Sequence, residues 1–133
     1  MHEYADWQTA TLLRRLAKEA SRTARSGKPD AIHDLRVAIR RMKGCLVLFA
    51  KFYPNRGRKE LRKELRGLMD ACGQVRDRDI ALQLLADAGA PAKAAVVRRL
   101  AAERKDAARE LQRSLKHWKK GRVSHRWRTR LEL

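Results

Sequence analysis

Four side chains able to hold an anion repeat along one stretch of this sequence: His33, Arg36, Arg40 and Lys43. Steps of three, four and three place them on one face of any helix that contains them. Like charges at those spacings repel, costing roughly 0.2–0.5 kcal/mol per pair in an isolated helix. Folding has no use for that arrangement, whereas a line of negative charge lying along it does. A second set, Arg58, Arg62 and Arg66, follows at steps of four. Arginine suits phosphate because its planar guanidinium meets two oxygens at once, while lysine acts as a point charge. Each neutralised phosphate releases counterions, so binding to such a surface weakens steeply with salt. The simplest alternative for the same residues is a solvated helix face, and for His33 a boundary histidine without a role.

Groups for catalysis are harder to find. Of the four histidines, His2 is terminal, and His117 and His125 lie in a basic C-terminal stretch without an acid partner. No nucleophile is paired with a base, so the expectation is a binding protein and not an enzyme. The run Gly73-Gln74-Val75-Arg76-Asp77-Arg78-Asp79 sets two carboxylates beside two arginines. Its reading is architectural: Asp77 or Asp79 caps a helix, and Arg76 pairs with a carboxylate across the core. A metal site would need further oxygen or nitrogen ligands nearby, so neither a metal nor a cofactor is expected.

The elements that must position these residues are helices. Leu12, Leu13, Leu16 and Ala20 line one side of a first helix over about 4–25, which Ser26-Gly27 ends. Pro29 suits the start of a second, over about 29–52. Its seam of Ile32, Leu35, Ile39, Met42, Leu46, Phe49 and Tyr53 alternates steps of three and four. A third helix over about 58–72 carries Leu61, Leu65, Leu68 and Cys72, with Gly73 as its stop. A short fourth begins near Asp77 or Asp79 and ends at Asp87-Ala88-Gly89. Pro91 opens a long last helix over about 92–120, with Val96, Leu100, Ala107, Leu111, Leu115 and Trp118 inward and Gly121 closing it. The tail 122–133 is polar and basic, and is expected to be less ordered. Short links between long helices predict an all-α, up-and-down bundle of four to five helices, a single domain over 1–133.

Composition agrees. The 133 residues are 44% hydrophobic and 36% charged, which excludes a disordered tail. Thirty-three Lys and Arg against 15 Asp and Glu give a net charge of +18. So much like charge destabilises a small compact state unless a polyanion relieves it. From Arg113 to Arg130 the chain contains no acid, and Arg98, Arg99, Arg109 and Lys116 spread the charge over several helices. No apolar run is long enough to span a bilayer. The start is unlike a signal peptide. Cys45 and Cys72 lack metal-ligand spacing and suit a reducing compartment. The expected location is the cytoplasm.

Two segments carry a resemblance to a known family. Ala31-Ile32-His33-Asp34-Leu35-Arg36-Val37-Ala38-Ile39-Arg40-Arg41-Met42-Lys43 is similar to the signature helix of CHAD domains, the histidine-containing α-helical domains. Residues 68–79, ending in the Gly73–Asp79 run, resemble that family's second signature, in the same order. The resemblance implies a helical bundle that binds inorganic polyphosphate through a basic surface, in some members beside polyphosphate granules. It implies His33, Arg36, Arg40 and Lys43 as anion-binding positions, with Arg62, Arg66 and Arg76 as partners. CHAD domains commonly hold two such bundles in about twice this length, so this chain corresponds to one half-unit. Either a single bundle suffices, or two copies form a homodimer that rebuilds the pair, which is the expectation. No segment resembles the triphosphate-processing CYTH domain found beside some CHAD domains.

A nucleic-acid binder would use the same cations. What the sequence lacks for that role is aromatic residues interleaved with them, or a recognised DNA-binding motif. Polyphosphate is the expected partner, and DNA or RNA the alternative.

Overall fold

The computed structural model describes residues 1–120 and 122–133, and among them every regular element is helical. Five α-helices run in order: α1 His2–Ser26, α2 Pro29–Leu48, α3 Asn55–Asp87, α4 Ala95–Lys120 and α5 Val123–Arg130, with one 3-10 turn at Ala50–Phe52. The first four form a ring in which α1 packs on α2 and α4, and α3 packs on α2 and α4. The fold class is therefore the expected all-α bundle.

Local chemistry sets most of the boundaries. Gly27 takes the left-handed conformation (φ 62°) and donates its N–H to Thr23 O at 2.9 Å, ending α1. Pro29 then sits at the start of α2, where its missing N–H costs nothing. The seam Ile32, Leu35, Ile39, Met42 and Leu46 is buried throughout, against Leu13 and Leu16 of α1 and Leu61, Leu65, Leu68 and Cys72 of α3. Each such side chain contributes about 1.5–3 kcal/mol on leaving water. The Thr9 hydroxyl, fully buried, lies 2.6 Å from Tyr53 Oη and 3.1 Å from Cys45 Sγ, tying α1 to α2 and to the turn after it. Thr23 donates to Ala31 O at 3.1 Å, and Gln112 of α4 donates to Thr23 O at the same distance.

Three expectations are corrected. Gly73 does not stop a helix: α3 runs unbroken through it for 33 residues, absorbing the expected fourth helix. Glycine costs a helix about 0.5–1 kcal/mol, and the packing of α3 against α4 outweighs it. Asp77 and Asp79 are consequently mid-helix and cap nothing. Asp79 instead accepts from Arg104 Nε of α4 at 2.9 Å. The last helix starts at Ala95, after a turn at Pro91, so that Val96 is exposed and not inward, and Gly121, the expected stop, lies outside the described residues.

The third correction concerns the tail. Residues 122–133 are not a loose basic extension, because α5 docks on α1, α3 and α4. Trp127 and Leu131 are 0% and 1% exposed. Trp127 donates its indole N–H to Glu64 at 3.1 Å, Arg126 bonds the same carboxylate at 3.1 Å, and Arg130 reaches Glu60 at 2.7 Å. The guanidinium groups of Arg126 and Arg130 also lie over the Trp127 ring, at 5.5 and 4.9 Å. Gly57 permits the approach: a Cβ there would stand 2.7 Å from Arg130 O.

Candidate anion-binding groove

The α2–α3 pair is where the basic stripes meet. On α2, His33, Arg36, Arg40 and Lys43 fall within about 80° of helical arc. Lys43 and Arg36 are half-buried, while His33 and Arg40 are exposed. The opposite side of α2 faces α1, as Thr9–Cys45 and Thr23–Ala31 show. The stripe therefore borders α3.

The matching side of α3 carries Arg62, Arg66, Gly73 and Arg76, again within about 80° of arc. Its other flank is committed elsewhere. Glu60 and Glu64 engage α5, while Gln74 and Arg78 share a hollow with Glu103 and Glu110 of α4. The two helices run antiparallel. Ile32 and Pro29 line one hollow with Arg76, Asp79 and Ile80, while one turn later the Arg36 guanidinium is near enough to Cys72 to favour its thiolate against the effect of burial. Continued along both helices, that register sets Arg40 level with about Leu68, Arg66 with about Met42 and Arg62 with about Leu46. On that register the seven sequence-derived positions lie along the flanks of α2 and α3 that border one another, a candidate groove.

Their lack of partners is the groove's chief electrostatic property. Among the described residues, none of His33, Arg36, Arg40, Lys43, Arg62, Arg66 and Arg76 forms an ion pair. This corrects the architectural reading of Arg76: Arg78 approaches Glu103 at 3.8 Å and Arg104 holds Asp79, leaving Arg76 on the groove side. Asp34, inside the α2 signature, is taken by Arg22 of α1. The Nε atoms of Arg36 and Arg62 are buried without a hydrogen-bond partner, a costly state for a cationic donor. Asp70 and Asp77 are exposed and lie further round α3.

Arg58 belongs to the same wall. It continues the i, i+4 series below Arg62, and its Nε is also buried and unsatisfied, although another of its nitrogens bonds Asn55 Oδ1. Its spacing was visible in the sequence, but only the groove distinguishes it from a solvated arginine. At the other end, the N-terminus of α2 receives no hydrogen bond from its N-cap side chain, Lys28, so its first amides add positive potential beside His33.

The thiols face inward. Burial pushes Cys72 up to about 12, with the nearby Arg36 guanidinium pulling the other way, and burial raises Cys45 as well. Both cysteines are free. Among the described residues no cluster of three or more His, Cys, Asp or Glu could hold a metal ion, and no helix is long and apolar enough to cross a membrane.

The arrangement can do one thing well: neutralise a linear run of negative charge between two helices. Compared with known proteins, no curated protein and no solved structure matches the chain. The family model of the CHAD domain does match, over residues 8–133 and so nearly from end to end. It takes in both signature segments and every wall of the groove, and the chain accordingly belongs to the CHAD domain family.

Proposed function

We propose that the α2–α3 groove binds inorganic polyphosphate without catalysing its turnover. The observation that carries this reading is the set of six Lys and Arg side chains, with His33, along the bordering flanks of α2 and α3, none of them paired with a carboxylate among the described residues. From Arg62 to Arg76 the α3 wall extends about 21 Å, long enough for several phosphates to engage at once. Arginines on both sides grip oxygens bidentately, Lys43 adds a point charge, and His33 offers a ring N–H donor. Longer chains bind more tightly because each further phosphate binds at high effective concentration. A bare phosphate chain needs no stacking surface. The exposed aromatics, Tyr4 and Trp7, stand on α1 and not on either groove helix.

On the same reading the protein accompanies polyphosphate granules in the cytoplasm, and two copies associate. The support for association is the distal end of the bundle. No residue from 76 to 110 is buried, and Ile80, Leu84 and Val96 are 45%, 64% and 40% exposed, an unpartnered apolar surface on the α3–α4 hairpin.

A competition titration tests the ligand. Labelled long-chain polyphosphate is displaced at near-physiological salt by unlabelled polyphosphate, or by single- or double-stranded DNA of equal charge. Polyphosphate should compete far better. Equal or better competition by DNA would make the protein a nucleic-acid or general polyanion binder.

A further inference from the structure

On the side of the ring away from the α2–α3 groove, α1, α4 and α5 border a half-open cavity of about 660 Å3. That size falls within the roughly 300–1,000 Å3 typical of small-ligand sites. Its floor is apolar: Leu13, Ala17, Ala20 and Ala24 from α1, Leu115 and Trp118 from α4. Three of these lining residues are alanines, whose short side chains leave the space that larger ones would occupy. Its remaining lining is polar, with the cations Lys119, Arg122 and Arg128 beside His125, Ser21 and Ser124, and no carboxylate lines it. None of Lys119, Arg122, His125 and Arg128 forms an ion pair among the described residues.

Neither half of this lining fits a simple ligand alone. A polyphosphate chain would satisfy the cations but leave the apolar floor empty, forfeiting dispersion contacts that interiors normally retain. A neutral apolar molecule would fill the floor but leave the cations uncompensated. We propose that the cavity binds a single-chain amphipathic anion, with its alkyl or aryl body on Leu13, Leu115 and Trp118 and its carboxylate or phosphate beside Lys119, His125 and Arg128. The long stems of Lys119 and Arg128 suit this, because they cover apolar surface while their charged ends stay at the water boundary. The site is separate from the polyphosphate groove and does not depend on it.

Calorimetric titration of the whole chain with octyl phosphate, octanoate, octanol and inorganic phosphate tests the proposal, each ligand kept monomeric. One of the two amphipathic anions should bind at one site, at least tenfold more tightly than octanol and inorganic phosphate, and the better of the two identifies the head group. Ala17→Leu should weaken that binding tenfold or more while leaving polyphosphate binding unchanged. Lys119→Ala with Arg128→Ala should reduce the anion's affinity to that of octanol, and Arg36→Ala with Arg40→Ala should leave it intact. Should Ala17→Leu lose helicity, Ser21→Val makes the same comparison from the neighbouring position. The proposal is overturned if both amphipathic anions bind no better than inorganic phosphate. Unchanged affinity in a folded cavity-filling variant overturns it too, as does binding that appears only with anionic vesicles, which would indicate a membrane surface instead.

Discussion

Replacing Arg36 and Arg40 together by alanine separates a shaped groove from diffuse positive charge. Arg36 is half-buried, with an Nε that finds no protein partner, so an anion reaching it gains a charge-assisted hydrogen bond in a partly dry setting. Such bonds contribute roughly 1.5–3 kcal/mol. Arg40 is exposed and contributes like a surface charge, about 0.5–1 kcal/mol. The pair therefore represents about 2–4 kcal/mol, or a 30- to 700-fold weaker Kd at 1.4 kcal/mol per tenfold. The assay is fluorescence anisotropy of labelled long-chain polyphosphate over a salt series, with helicity and thermal unfolding measured on the same samples. Two fewer neutralised phosphates should lower the slope of log K against log salt by about 1.4, taking about 0.7 per phosphate of a flexible strand. The fold should survive, because neither side chain lies on the Ile32–Leu46 seam and removing like charges relieves repulsion. Arg98→Ala with Arg99→Ala, on exposed α4 positions, removes the same charge away from the groove and should cost less than threefold. Equal losses in the two double variants would refute the groove and leave net charge as the whole explanation.

Other perturbations test the frame. Trp127→Ala should cost about 3–5 kcal/mol in urea unfolding, as for other fully buried aromatics, whereas a loosely attached tail would lose nothing. Gly73→Ala should stabilise the protein by about 0.5–1 kcal/mol, since a Cβ there meets nothing within 4 Å, and a loss of stability would mean that α3 is broken at that point. Burial raises Cys72 from 9.0 and Tyr53 from 10.0, each to about 12, so the fold favours their neutral forms. That stability is fully present below about pH 9 and is lost as pH rises through 9–12, and a urea midpoint that stays flat across this window would contradict the burial. Leu84→Asp should convert dimer to monomer in sedimentation velocity, and a wild-type chain already monomeric at the same concentration would end the case for association through the hairpin.

How much of this was legible in the sequence depends on whether a signal was local. The α2 stripe and seam could be read from spacing alone, because both are properties of one helix. So could the end of α1 at Gly27, where a glycine meets a backbone that needs positive φ. Gly73 misled because a helical glycine and a terminating glycine look alike until the neighbouring helix is known. The tail misled for a related reason. Trp127 and Leu131 are its inward residues, set among arginines whose function is to hold Glu60 and Glu64 of a helix some sixty residues earlier. Local polarity there was high because the contacts are long-range. Arg76 was similarly ambiguous: its neighbours suggested an ion pair, the family resemblance an anion site, and only α4's claim on Asp79 separated the two.

The distribution of charge within α3 explains how one helix serves both architecture and binding. Its inner and far flanks carry acids that arginines of α4 and α5 neutralise: Asp79 by Arg104, Glu64 by Arg126 and Glu60 by Arg130. Those pairs fix α3's rotation about its axis, because a turn of one residue would move Glu60 and Glu64 away from α5 by about 100°. With that rotation set, Arg62, Arg66 and Arg76 lie on the flank of α3 on α2's side, while Asp34 of α2 is held by Arg22 on the opposite side. The carboxylates of Asp34, Glu60, Glu64 and Asp79 are thus drawn to the helix–helix contacts and away from the cations of the α2–α3 flank. Repulsion along the groove opposes folding, and the long-range pairs and the α5 cap offset it. An anion that relieves the repulsion should therefore raise the unfolding temperature as well as bind, because a ligand held only by the folded state stabilises it in proportion to RT ln(1 + [L]/Kd).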